Sequence, residues 1–442
     1  MNQCFGYNSS VDEFIEKANT NYFRDKKISY AEFQNAYALP SKNVWQDGKK
    51  IRWGGLVDEN GTYIPSSGRY RNEDKTLTDN VMMGGYEFKK LFCRTIKGQS
   101  IYCGEFLEHW GHFLLESTTR LWYVVKNRKP NQKLIFVARK KYKLAGNFKH
   151  FFELLGINPK DVILITKPTK LESVIVPESS SALGDHYTKE FADPFIQIQK
   201  NVSFENNTST DLKRIYLSRQ KCKIRFIMGE DALENVFKEN GFHVVYPELL
   251  SLKELVTLFQ NAEYVAGISG TAMHNALFCP QTAKLIILNR SDEFNHPQGL
   301  INQAMHLDTI FTDAYFNFLP TQNFYWLGVT MPFQKMCQAL NFKVPHITPP
   351  STQEANQFFK LWLKDLPKIG DAITLTHFQN AAEVAYLLFS QMTSVSRFHQ
   401  KMDLIKYGLL SKISWGTNKR KYTSKLQHYR EKYGIDLKEE NP

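Results

Sequence analysis

The sequence predicts an α/β protein of two Rossmann-like domains, flanked by an irregular N-terminal extension and a helical C-terminal region. Three observations predict this. The chain of 442 residues exceeds the size of one ordinary core. Strand-like and helix-like segments alternate in residues 211–320, an order that implies a parallel, doubly wound sheet. A polar stretch without period, residues 201–210, suits a surface connection between two such units.

Taken in order, residues 1–92 are rich in Tyr, Gly and Asn, with short strand-like pieces such as Lys50-Ile51-Arg52-Trp53 and no sustained helical period. They are expected to be an irregular extension. The next unit, 93–205, opens with a long helix from Phe106 to Lys126, because Phe113, Leu114, Leu121, Trp122 and Val125 fall on one face at helical spacing. Leu134–Val137 then reads as a buried strand, Phe148–Leu155 as a helix closed by Gly156, and Val162–Ile165 and Val174–Val176 as further strands.

In 211–320, Arg214–Ser218, His243–Tyr246, Tyr264–Gly267 and Lys284–Leu288 read as strands. Between them lie helices from Asp231 to Asn240, from the capping box Ser251-Leu252-Lys253-Glu254 to Asn261, and around Thr271–Phe278. Residues 321–442 turn helical and aromatic and are expected to pack back on the first domain. Their stretch from Lys406 to Lys432 is basic.

Composition excludes several classes. A hydrophobic fraction of 42% with 23% charged residues is that of a folded chain rather than a disordered one. Most of the 32 Phe and 21 Tyr are expected in cores. A formal charge of +12 favours anionic partners without choosing among nucleotides, nucleic acid and acidic lipid. The six cysteines, Cys4, Cys93, Cys103, Cys222, Cys279 and Cys337, form no Cys-x-x-Cys pair, so neither a zinc cluster nor a disulfide framework is indicated. The first residues lack the basic start and apolar run of a signal peptide, and no apolar stretch reaches bilayer length. A cytoplasmic protein is expected, with peripheral attachment to the inner face of a membrane as a second placement.

Two constellations carry candidate chemistry. In a parallel sheet, ligands bind beyond the carboxyl ends of the strands, where strand order reverses. There the sequence places Ser218-Arg219 with Arg225 after one strand, and the small-residue turn Gly267-Ile268-Ser269-Gly270-Thr271 after another. Amides at such a turn and planar guanidinium groups suit a diphosphate, with Asn275 one turn further on. The plain alternatives are a simple strand-to-helix connection and solvated surface arginines.

The second constellation is His109 to Arg120, where His112, Glu116 and Arg120 are spaced by four on one helical face. A histidine beside a carboxylate is a candidate general base. The alternatives are an exposed polar stripe, in which Glu116 and Arg120 pair, and a metal site. The zinc-protease order His-Glu-x-x-His is absent, so no metal is expected.

At these two constellations the sequence resembles glycosyltransferase family 61. The similar stretches are His109–Glu116 with Arg120-Leu121-Trp122, then Ile215–Arg219 with Arg225, then Gly267–Phe278, over roughly residues 100 to 290 and in the family's order. The resemblance implies a GT-B architecture, two domains facing a central cleft, an inverting mechanism and no divalent metal. It implies donor contacts from Arg219, Arg225, Gly270 and Asn275 and places His112 in the cleft; the small-residue turn adds Ser269 and Thr271 as donor contacts, and the base is expected to be His112 first, Glu116 second, and Asp185 or His186 third. Many members have His-Gly-Ala where this chain has Ser269-Gly270-Thr271, so any contact from that histidine is missing.

The expected substrates are a nucleotide-sugar donor and a glycan or lipid-linked glycan acceptor, in capsule or surface polysaccharide synthesis, with no cofactor beyond the donor itself. A competing reading is a non-catalytic basic module for nucleic acid or anionic membrane. A nicotinamide oxidoreductase is disfavoured because no Gly-x-Gly-x-x-Gly follows a strand.

Overall fold

A computed structural model gives the fold and describes residues 2–6, 11–72, 74–75, 81–205, 212–222, 226–315, 324–344 and, within 420–431, residues 420, 421, 423–425, 427, 428 and 431. The chain divides into two compact units. The first comprises Met1–Ser218, Gly241–Leu288 and Glu293–Thr312, and the second comprises Arg219–Asn240, Asn289–Asp292 and the described residues from Asp313 onward.

The first unit is α/β and contains two six-stranded sheets. Strand β1 (Gln3–Phe5) is an edge of one sheet. The next six strands form the other: β2 (Tyr30–Gln46), β3 (Lys49–Val57), β4 (Arg94–Glu105), β5 (Leu134–Val137), β6 (Val162–Ile165) and β7 (Thr169–Pro177), in the order β3-β2-β7-β4-β5-β6. This sheet is mixed, because β2 runs antiparallel to β3 and β7 while β7, β4, β5 and β6 run parallel. A short hairpin, β8 (Ser181–Ala182) with β9 (His186–Tyr187), follows it.

The sheet begun by β1 is completed by β10 (Arg214–Leu217), β11 (His243–Val245), β12 (Tyr264–Ile268), β13 (Lys284–Asn289) and β14 (Asp308–Asp313), in the order β1-β14-β13-β12-β10-β11. Leu285, Ile286, Ile287 and Leu288 are all fully buried, as a parallel strand covered on both faces requires. From β11 inward the strands follow the doubly wound order 2-1-3-4-5. Strand order therefore reverses between β10 and β12, and the ligand crevice of such a sheet lies beyond their carboxyl ends.

Helices cover the sheets: α1 (Val11–Ala18), α2 (Trp110–His112), α3 (Leu121–Asn127), α4 (Gly146–Leu154), α5 (Asp193–Glu205), α6 (Leu252–Asn261) and α7 (His296–Ala304). The α6 capping box forms as expected, with Ser251 and Glu254 each satisfying the other's backbone amide. Helix α5 packs on both α4 and α6, and Phe195 meets Phe278 edge-on at 5.9 Å between ring centroids. One apolar core thus runs from Phe113, Phe136 and Phe151 to Phe259 and Leu285.

Three expectations are corrected in this unit. Residues 1–92 are not irregular, since β1, α1, β2 and β3 lie within them. Strand β2 was hidden by its composition: its buried residues include Ala36 and Ala38, and Pro40 sits at the register shift between Leu39 and Lys42, where a bulge spares the missing amide. The long helix expected from Phe106 to Lys126 is broken. After α2 the chain makes a π-helical turn over Phe113–Ser117 and a bend before α3. Likewise, the helix expected around Thr271–Phe278 is a 3-10 helix, Met273–Phe278.

In the second unit a parallel strand pair, Phe226–Met228 with Phe324–Trp326, accompanies helices Glu230–Glu239 and Met331–Ala339, which meet through Phe237 and Phe333 at 5.9 Å. Most of the region expected to be helical after residue 321 lies outside the described residues, as does most of the basic stretch 406–432. The described residues from 420 onward are helical. No helix among the described residues is long and apolar enough to cross a membrane.

Candidate active site

The broken helix builds the site. A π turn inserts one residue into the helical repeat and rotates the side chains after it about the helix axis. Here Phe113, Leu114 and Leu115 go into the core, and Glu116 is turned into the protein with only 3% of its side chain exposed. Arg69, itself buried, donates from Nη1 to Glu116 Oε1 at 2.5 Å, and Arg71 Nη2 lies at 3.4 Å from the same oxygen. Arg69 Nε also donates to Glu105 Oε2 at 2.9 Å, and Arg52 Nη1 to Glu105 Oε1 at 2.7 Å. Glu116 Oε2 meets His112 Nδ1 at 2.5 Å.

Burial pushes the Glu116 carboxyl up, but the Arg69 guanidinium, the His112 hydrogen bond and Arg71 outweigh it and hold the group at about 2, below its ordinary value of 4.5. An ionised carboxylate only accepts, so His112 Nδ1 carries a proton, and in the neutral ring the lone pair is on Nε2. Nε2 has no hydrogen-bond partner among the described residues, and the His112 side chain is 45% exposed.

The depressed value has a consequence for stability. The Glu116 contribution is fully present above its unfolded value near 4.5 and is lost as pH falls toward 2. Unfolding free energy measured by denaturant titration is expected to drop across that window by an amount on the order of 3 kcal/mol, and Glu116→Gln should flatten the drop.

Arg120 does not pair with Glu116, which corrects the simplest expectation for that stripe. The bend carries Arg120 to three backbone carbonyls, Nε to Pro177 and Nη2 to Ser66 and Gly68, at 2.7 to 3.0 Å. Gly104, at φ 100, lets this guanidinium approach: a Cβ there would stand 3.0 Å from Arg120 Nη1.

A closed ring of contacts joins the His112 turn to the second sheet. Gly111 presses on the Ser269–Thr271 side, where an added Cβ would stand 2.9 Å from His274 Nδ1 and 3.1 Å from Thr271, so a glycine is needed for that approach. The Trp110 indole donates to Asn275 Oδ1 at 3.0 Å. On the other side, Ser181 Oγ of β8 donates to the Leu115 carbonyl at 3.5 Å, and the β8–β9 hairpin presents Asp185 and His186, paired at 2.9 Å. Gly184 in that hairpin faces His296 at the start of α7, and neighbouring Asn295 donates to Ser269 Oγ at 3.4 Å.

Within this ring the backbone amides of Gly270, Thr271 and Ala272 take no acceptor among the described residues, so three successive N–H groups are available to an anion. Ser269 is held differently, its amide donating to the Leu288 carbonyl at 2.8 Å.

The structure therefore brings together His112, Glu116, Asp185, His186, Ser269, Gly270, Thr271 and Asn275 in the first unit. Arg219 belongs to the second unit, where its amide donates to Glu230 Oε1 at 2.9 Å and its Nη2 lies 3.9 Å from Cys222 Sγ. Arg225 lies outside the described residues. Among the described residues no three His, Cys, Asp or Glu side chains converge as a metal-ligand set.

Arg52 of β3, Glu105 of β4, and Arg69 and Arg71 of the segment between these strands join the site without having been expected there. His274 and His296 were also not expected there. For His296 a signal existed, since Asn295-His296-Pro297 is a helix start with proline in the first turn.

Residues 110–286, less than half of the chain, match the family model described as Glycosyltransferase 61. The match runs from Trp110 of the His112 turn through the Ser269–Thr271 turn to β13. The family implies glycosyltransferase activity. No curated protein matches the chain.

Proposed function

We propose that the protein moves a sugar from a nucleotide-sugar donor to a hydroxyl of a glycan acceptor, with inversion and without a divalent metal, in a GT-B organisation. What supports this reading is the packing of Gly111 and Trp110, next to His112, against the Thr271 and His274 side chains and Asn275, in the turn whose Gly270, Thr271 and Ala272 amides take no acceptor among the described residues.

In this reading His112 Nε2 takes the proton of the acceptor hydroxyl as its oxygen attacks the anomeric carbon. The bond from that carbon to the diphosphate oxygen breaks on the opposite face, and the leaving group carries away the electron pair. Its growing charge is met by the Gly270, Thr271 and Ala272 amides, with Asn275 beside them. The resemblance adds Arg219 and Arg225 as further donor contacts. Glu116 is a positioning residue, because a carboxyl held at about 2 between cations is a weak proton acceptor. Asp185 and His186 are assigned to the acceptor side of the same ring. Capsule or surface polysaccharide synthesis in the cytoplasm is the setting that the resemblance suggests.

Calorimetry of the purified chain against a panel of nucleotide sugars tests the donor assignment. Saturable binding of one donor is expected, weakened when Thr271 and Ala272 are changed together to proline, which removes two of the amides. No binding across the panel, together with nucleic-acid binding that falls steeply with salt, would replace this reading by a basic binding module.

A further inference from the structure

We infer that the pocket beneath the β8–β9 hairpin is an oxyanion subsite, taking a single acidic group carried by the acceptor. The pocket is small, about 90 Å³, and is lined by Lys26, Tyr70, Lys75, Arg120, Glu178 and His186 among others. Arg120 is the anchor. It is only 2% exposed, and it takes part in no ion pair among the described residues. Arg69, comparably buried, has two carboxylates. Three carbonyls satisfy Arg120 Nε and Nη2, whereas Nη1 takes no acceptor among the described residues. Carbonyl dipoles align a guanidinium without neutralising it, and a buried cation without a counter-ion is costly. Consistent with this, burial moves the Arg120 guanidinium below its ordinary value.

The rim adds the same sign. Lys26 and Lys75 are exposed and line the opening, against one carboxylate, Glu178, which is engaged by the Ser29 amide at 2.7 Å and hydroxyl at 3.2 Å. His186, also in the lining, is already paired with Asp185. The pocket has room for one carboxylate or phosphate group. Because His186 belongs both to this pocket and to the ring around His112, a group held here lies beside the reacting end of an acceptor. The oxyanion site stands on the pocket alone, and its assignment to the acceptor rests on the glycosyltransferase reading. The oxyanion is either the carboxylate of an acidic sugar or a phosphate in the acceptor.

The test is calorimetry of the full chain with methyl glucuronide, inorganic phosphate and neutral methyl glucoside, each with saturating nucleoside diphosphate present to occupy the donor turn. One of the two oxyanions is expected to bind at least about tenfold more tightly than methyl glucoside, and the preferred one names the source. The double variant Lys26→Ala, Lys75→Ala changes only exposed side chains; it should keep the melting temperature and lose about tenfold in oxyanion affinity. Arg120→Met should abolish the binding, and the lysine variant keeps the test decisive where Arg120→Met fails to fold. Oxyanions that bind no better than methyl glucoside, or whose affinity is unchanged by the lysine substitutions, would overturn the assignment. The readout is binding alone, so absence of sugar transfer would count against the proposed activity and not against this pocket.

Discussion

His112→Ala is expected to lower turnover about 10²–10⁴-fold while donor affinity stays near the parent value. Two structural facts separate these effects. The imidazole is half exposed, with Nε2 unpartnered among the described residues, so its loss removes no core packing. The donor phosphates are assigned to the amides of Gly270, Thr271 and Ala272, which His112 does not bond. Equilibrium donor binding and single-turnover kinetics on the same variant read the two terms separately. A folded His112→Ala enzyme of near-normal turnover would pass the role of base to His186 or Asp185.

Glu116→Ala is expected to lower stability by about 3 kcal/mol, because it leaves the buried Arg69 with Glu105 as its one carboxylate and takes the carboxylate from the partly exposed Arg71. Glu116→Gln isolates the charge from the shape. The amide fills the same volume, yet it no longer fixes the proton on His112 Nδ1, and turnover is expected to fall by about 10²-fold or more through loss of the reactive tautomer. If Glu116 served packing only, Glu116→Gln would leave the pH profile of turnover unchanged. Chemical denaturation and a pH–rate profile, measured together, distinguish the two.

The parts of the molecule that were legible in the sequence are those whose signals are local. The parallel sheet of β10 to β13 announced itself through continuous apolar runs such as Leu285–Leu288 and through the Ser251 capping box. His112 and the Ser269–Thr271 turn were legible for the same reason, each being a short motif next to a regular element. Glu116 was visible as a neighbour of His112, but its true partners were not. Arg69 and Arg71 come from a segment held by the isolated Arg69–Met82 bridge rather than by a regular strand, and no periodicity within Gly68-Arg69-Tyr70-Arg71 marks them.

The divergence of Arg120 from Glu116 comes from the π turn, a packing outcome that the four-residue spacing alone cannot express. Ideal helical spacing put both side chains on one face, and the core demanded by Phe113, Leu114 and Leu115 rotated them apart. In the same way, Trp110 and Asn275 are 165 residues apart in the chain, and only the packing of the two sheets brings them to 3.0 Å.

The most direct measurement is sugar transfer itself, monitored by NMR of the anomeric proton, with the donor selected by binding and a chelator present. Release of nucleoside diphosphate, a product whose anomeric configuration is opposite to that of the donor, and loss of both signals in His112→Ala are expected. Transfer that retains configuration, or that stops with chelator and resumes with manganese, would contradict the proposed reaction.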